Sequence, residues 1–258
     1  MRLNKFLNET VSAKGLKENE AHKVLASNCN KNRNYKTIFR GDKSFECPNT
    51  EPYFFSFPAS SRKERKSANT SNHYTLLIDK FLNCWKGWPK RSKGLICSTD
   101  EDKAVRYTSG YTYSDILIMV PYDNTPIAVC PAYDIFDSFH VLQKYGLDYM
   151  SMLNSMLSYI GIEDTESSIK KGLSLPINDF LDMLNRGAIY AYTAKKLEKD
   201  GIREKYKTLK DWLEDVMDPK KNDFKLVTSN NALPPNREVW FDGSAVGYFY
   251  GYSEVNPW

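Results

Sequence analysis

What this chain of 258 residues lacks narrows its reading first. No stretch approaches the ~20 consecutive apolar residues that a membrane-spanning helix needs. The opening MRLNKFLNETVSAKG has no uninterrupted apolar core of signal-peptide length. The expectation is a cytoplasmic protein with no membrane partner. Charge of one sign is also lacking: 36 Lys and Arg against 32 Asp and Glu leave +4, too little for the global footprint of a nucleic-acid binder. Any basic patch must be local.

Cysteine is sparse and metal spacing is missing. Cys29, Cys47, Cys84, Cys97 and Cys130 are odd in number and form no C-x-x-C pair, which reads as reduced, mostly buried thiols. His22, His73 and His140 stand alone, without H-x-x-x-H or H-E-x-x-H spacing, so no metal is expected. Cys97 sits inside an apolar run, which favours an inert core thiol over a nucleophile.

What is present is enough apolar material, 41% of the residues, to bury a core. Apolar spacing over 3–27, interrupted near Gly15, predicts two short helices. Tyr35–Phe39 reads as a short strand ending at Arg40-Gly41, where glycine permits an abrupt turn. Residues 48–58 (PNTEPYFFSFP) and the polar, basic run after them read as a long surface loop, and 74–81 as buried chain of undecided type. Lys93–Cys97 reads as a strand. It meets Ser98-Thr99 and then Asp100-Glu101-Asp102, the chemistry of a helix N-terminus. Ile116–Pro121 and Ile127–Cys130 are apolar runs joined by a turn, predicting a hairpin or tight crossover. Residues 138–222 are helical in pattern, with amphipathic sets Leu142, Tyr145, Tyr149, Met152, Met156, Tyr159; Phe180, Leu181, Leu184; and Leu209, Trp212, Leu213, Val216. Strand patterns return at 224–228, 238–241 and 245–250, with Asp242-Gly243 as a hairpin signal.

Four separated pieces then fall in an order that resembles ADP-ribosyltransferases of the Arg–Ser–Glu class: TIFRG at 37–41, LICSTDEDKAVRY at 95–107, DILIMVP at 115–121 and NREVWFDGSAVGYF at 236–249. The resemblance covers about half the chain and implies an α+β fold. Two small sheets would form an NAD cleft within a single domain over 1–258, with an N-terminal helical segment at 1–30 and a helical insertion at 138–222. It implies NAD as substrate, cleavage of the nicotinamide–ribose bond and transfer of ADP-ribose to a macromolecular acceptor, protein rather than nucleic acid. Displacement at an anomeric carbon passes through an oxocarbenium-like state, so a carboxylate beside the ribose is the minimum requirement. By resemblance Glu238 supplies it and Ser98 aims it. Arg40, followed by Gly41, holds the diphosphate or its neighbouring ribose, and Thr99 bonds nearby backbone. Tyr107 or Tyr111, or else Phe54 or Phe55, stacks on nicotinamide.

Two positions depart from the family. Asn236 stands where arginine-modifying members carry an acid, and a neutral amide cannot take a proton from a guanidinium. Asp100 replaces the third residue of the family's Ser-Thr-Ser. These departures leave open a catalytically silent binding or structural protein of the same fold. The basic-aromatic runs RKERK (62–66) and KGWPKRSK (86–93) leave open a nucleic-acid-binding module.

Overall fold

The computed structural model describes residues 13–32, 38–66, 71–147, 150–230 and 233–252. The chain divides into two compact units, residues 1–68, 88–129 and 226–258 in one and 69–87 and 130–225 in the other. The architecture is mixed α+β. Nine strands, β1 (Lys14–Leu16), β2 (Ile38–Arg40), β3 (Phe54–Phe57), β4 (Leu95–Ser98), β5 (Leu117–Pro121), β6 (Ile127–Val129), β7 (Lys225–Val227), β8 (Glu238–Phe241) and β9 (Ala245–Phe249), form one sheet. Its order is β1-β3-β9-β5-β2-β4-β8-β6-β7. Ten α-helices lie among the described residues: α1 (Glu18–Asn28), α2 (His73–Leu76), α3 (Glu101–Val105), α4 (His140–Gln143), α5 (Met150–Tyr159), α6 (Glu166–Leu173), α7 (Ile177–Asn185), α8 (Ala191–Lys199), α9 (Ile202–Lys205) and α10 (Leu209–Val216).

Two separate sheets were expected, whereas the strands are hydrogen-bonded in one order. The two halves, β1-β3-β9-β5-β2 and β4-β8-β6-β7, meet at a seam where Phe39 lies opposite Ser98. One apolar cluster serves both halves. It takes Phe57, Leu117, Met119 and Phe249 from one and Leu95, Cys97, Val129, Val239 and Phe241 from the other. Each such side chain contributes about 2 kcal/mol by leaving water, more than an exposed ion pair does. Helix α1 covers the other face of the first half, packing Ala21 and Leu25 with Phe54, Ile118, Val120 and Val246.

The hairpin expected at Asp242-Gly243 does not form, and where a hairpin or a tight crossover was expected between β5 and β6 the chain makes a crossing. β5 and β6 lie in different halves, as do β8 and β9, so 122–126 and 242–244 each carry the chain from one half to the other. The two crossings run side by side in opposite directions. Register passes from Pro121↔Ala245 on one side to Ala128↔Trp240 on the other, so residues 122–127 answer 241–244 around a bulged corner. Tyr122 N–H donates to the Ser244 carbonyl at 3.0 Å. A Cβ on Gly243 would strike the Thr125 side chain, so glycine serves close approach here and not a two-residue turn.

Two further expectations change in this unit. The segment read as a surface loop at 48–58 contributes β3, because Phe54 and Phe57 bury themselves on opposite faces of the sheet. The N-terminal stretch contains strand β1 as well as α1. Residues 1–12, where the other short helix was expected, and Tyr35–Thr37, the start of the expected Arg40 strand, lie outside the described residues.

In the second unit the helical expectation for 138–222 is met by α4 to α10, and α2 from earlier in the chain joins them. The segment 74–81 is helical: α2 passes into a π turn at Leu77–Phe81. Leu209, Trp212, Leu213 and Val216 are all buried, as their spacing predicts. Trp212 packs against Phe180 and Tyr145, with ring centroids 5.4 and 6.1 Å away. The helix read through Leu142 and Tyr159 is broken in two, since Gly146 takes a left-handed φ of 76° after α4.

Arg62, which the sequence placed in a solvated basic run, is buried and fastens the sheet corner. Its guanidinium donates to the carbonyls of Lys93 (3.3 Å), Phe241 (3.4 Å), Asp242 (3.0 Å) and Gly243. Removing it strands several carbonyls, so Arg62→Ala is expected to cost about 3 kcal/mol. Urea unfolding checks this, and Arg62→Lys should recover only part of the loss because an ammonium reaches fewer carbonyls.

Candidate functional site

The seam and the strand beside it bring the motif residues together. β2, carrying Arg40, lies between β5 and β4, and β4 lies beside β8, so the four separated pieces become neighbours. Ser98 and Glu238 are directly opposite in register, which points both side chains to one face of the sheet. Their corner is tied by Thr99. Its Oγ1 donates to the Pro234 carbonyl (2.9 Å) and accepts from Arg237 N–H (2.9 Å), while its own N–H donates to the Arg237 carbonyl (2.9 Å). The expected backbone role of Thr99 is thus present. Asn236 sits exposed on the turn into β8 with φ 57°, a left-handed conformation that asparagine tolerates better than most residues.

Glu238 is held by an arginine and not by the serine. Ser98 Oγ accepts from Asp100 N–H at 3.0 Å. The Glu238 carboxylate forms a buried ion pair with Arg91, Nη1 to Oε1 at 2.5 Å. The Arg91 guanidinium also lies over the Trp240 ring, 5.4 Å from its centroid, and Trp240 Nε1 donates to the Pro89 carbonyl at 2.8 Å. Trp240 thereby anchors the loop that delivers Arg91. Sequence reading missed Arg91 because it sits in a lysine-rich run with no motif of its own. The only hint was that the run includes Trp88 and Pro89.

Arg40 points the other way. Phe39 is opposite Ser98, so the next residue along β2 turns to the face that carries Cys97 and Leu117. There its guanidinium donates to the Ile96 carbonyl (2.8 Å) and pairs with the Asp42 carboxylate (2.7 Å). Burial works against the charged Asp42, yet Arg40 and two hydrogen bonds from Ser44 outweigh it and hold the carboxyl below its ordinary value. Gly41 does not turn the chain through a positive φ. It lies where any Cβ would collide with the Ala104 carbonyl, which lets α3 dock on the end of β2. That helix is capped by Asp100, whose carboxylate accepts from Asp102 and Lys103 N–H, and not by Ser98 or Thr99.

The aromatic candidates separate into two kinds. Tyr107 and Tyr111 are 46% and 70% exposed after α3, and Tyr111 takes a φ of 54° that is unusual for so large a side chain. Phe54 and Phe55 are strand residues. Phe54 is buried, and Phe55 packs edge-on against Phe45 (5.1 Å) and Phe249 (5.6 Å). None of the five cysteines is in a disulfide, and burial pushes Cys97 up to about 12. Among the described residues no three His, Cys, Asp or Glu side chains gather as a metal site, and no helix is long and apolar enough to cross a membrane.

The chain matches no protein-family model, and no curated protein or solved structure is significantly similar to it.

Because the Asp42 carboxyl is held below its ordinary value of 3.8, the stability of its pair with Arg40 is fully present above that pH. It is lost as pH falls through the lower, folded value. Urea midpoints measured between pH 7 and pH 2 should therefore fall more steeply in the wild type than in Asp42→Asn.

Proposed function

We propose that the chain is an ADP-ribosyltransferase that takes NAD as substrate, breaks its nicotinamide–ribose bond and passes ADP-ribose to a macromolecular acceptor, protein rather than nucleic acid. The observation that carries this reading is the register that sets Ser98 opposite Glu238, in a sheet where four far-apart, family-like pieces lie on neighbouring strands. A carboxylate paired with a guanidinium and set opposite a serine, on a face with no histidine or reactive thiol among the named groups, suits charge stabilisation over proton shuttling. In the reaction the C1′–N bond breaks and its electron pair leaves with neutral nicotinamide. Positive charge grows on the ribose, and Glu238 offsets it. The acceptor's lone pair then forms the new bond to C1′, and its proton passes to solvent.

In this reading Ser98 and Thr99 shape the corner that presents Glu238, Arg91 fixes the carboxylate's direction, and Tyr107 or Tyr111 offers an exposed ring to the nicotinamide. Arg40 and Gly41 brace the strand and α3 behind the site. NAD brings its own diphosphate, and a guanidinium fork is the group that matches it, so the Arg40–Asp42 pair must open if Arg40 itself is to bind that diphosphate. A catalytically silent binding protein of the same fold is the second reading. It is favoured by one observation, the closure of Glu238 in its buried pair with Arg91.

Glu238→Gln retains an oxygen for Arg91 and removes the charge. Nicotinamide release from NAD is expected to fall about 10²–10³-fold, with NAD affinity by calorimetry and the circular dichroism spectrum little changed. Equal release by both proteins would overturn the catalytic role, and no release by the wild type would favour the silent protein.

Asn236 bears on the acceptor. Wild-type protein is expected to modify an arginine analogue poorly, and Asn236→Glu to raise that activity while costing about 1 kcal/mol for its left-handed φ. Strong arginine modification by the wild type would assign the base to another residue.

A further inference from the structure

The second unit carries an exposed cleft of about 380 Å³, lined by Gly146, Leu147, Met152, Ser155, Ile189, Tyr190, Tyr192 and Thr193. Its rim is unusually apolar for a surface. Ile189 is 79% exposed, Tyr192 63% and Tyr159, beside it, 43%. Burying these groups against a partner would recover a driving force that the isolated chain leaves unused. Two glycines give the cleft its form. A Cβ on Gly146 would press on the Tyr192 ring, and one on Gly187 would collide with the Tyr159 hydroxyl, so both rings settle over bare backbone.

The charge around the cleft is one-sided. Residues 186–200 hold four cations, Arg186, Lys195, Lys196 and Lys199, against two acids, Glu198 and Asp200. Asp200 is taken up by a hydrogen bond with Tyr145, and Glu198 and Asp182 are both drawn to Arg203, at 2.8 Å each. Lys144, Arg186 and Lys195 are exposed and enter no ion pair among the described residues. Lys196 sits over the Tyr192 ring at 4.5 Å. An apolar notch within uncompensated positive charge calls for a ligand with apolar anchors and negative flanks.

Two macromolecules could offer negative charge, and the lining separates them. Single-stranded nucleic acid needs free aromatic faces for its bases. Here the Lys196 ammonium occupies a face of Tyr192, and Tyr190 packs against Tyr159 with centroids 5.2 Å apart. The remaining wall, Leu147, Met152 and Ile189, is aliphatic and suits apolar side chains. We infer that this cleft is a docking site for an acidic peptide segment of a partner protein, which inserts one or two apolar anchors between α5 and α8 and sets its carboxylates against Lys144, Arg186 and Lys195. This site is independent of the proposed NAD chemistry.

Selection of a displayed library of random twelve-residue peptides on the full chain tests the inference. The enriched peptides should combine Leu, Ile or Phe with Asp and Glu. A fluorescent synthetic copy of the leading peptide should bind about tenfold more weakly to Ile189→Asp and to the Lys195→Glu/Lys196→Glu double variant. Its affinity should fall with salt and be unchanged in Tyr113→Ala, an exposed tyrosine of the other unit. Because Ile189 is 79% exposed, the aspartate leaves the fold intact, which circular dichroism verifies. The inference is overturned if no peptide is enriched, if basic peptides are enriched, or if the cleft variants bind the peptide as the wild type does. Binding of oligothymidylate that Ile189→Asp abolishes would reassign the cleft to nucleic acid.

Discussion

The bulged ladder between 117–129 and 239–249 is the constraint on which the first unit depends. Two chain segments, each continuous through a corner, stay paired antiparallel on both sides of it, so each half of the sheet contains one end of each. The shared apolar cluster follows from that geometry, because side chains of one alternation along both segments turn to the same interior. So does the place of Glu238. It is the first residue of β8, opposite Ser98 where the β2–β4 seam ends, and its register is set by the whole ladder and not by a local turn.

Polar groups at the corner and the seam do different jobs. Arg62 gathers the Phe241 and Asp242 carbonyls where the chain leaves β8 for the corner. Arg40 and Asp42 fill a polar position beneath the seam, where β2 would otherwise hold β4 by little backbone pairing. Arg91 and Glu238 occupy the opposite face. Such a buried pair contributes modest net stability, but breaking it by removing one partner costs about 3–5 kcal/mol, since the other charge stays buried.

Much of this was legible in the chain. The runs at 95–98, 117–121, 127–129 and 238–241 announced strands by apolar β-type composition, and α10 announced its buried stripe by spacing alone. What was hidden was whatever depends on partners distant in sequence. Asp242-Gly243 carries hairpin chemistry, yet no local signal says that the next strand lies four places away in the sheet. Phe54–Phe57 looked like a loop because prolines bound it, and only the edge beside β9 explains its strand. At the site, Glu238, Ser98 and Thr99 could be picked out by their order, whereas the true neighbour of the carboxylate, Arg91, carried no pattern. Arg40 could be found but not its facing, because one residue of register decides which side of a sheet a side chain serves.

The interruption of this sheet by residues 130–225 bears on how the chain acquires its form. β6 and β8 are adjacent in the sheet, yet residues 130–225, most of the helical unit, lie between them in sequence. Joining them across an open coil carries a closure entropy that grows with the logarithm of loop length. Contacts of such long range also slow the search for the native pairing. Helices α4 to α10 follow one another closely in sequence and escape that limit, whereas α2 joins them over long range, as in the hydrogen bond between His73 and the Ile162 carbonyl. Once these consecutive helices form, they shorten the coil that the β6–β8 pairing has to close, so that pairing is expected to follow them.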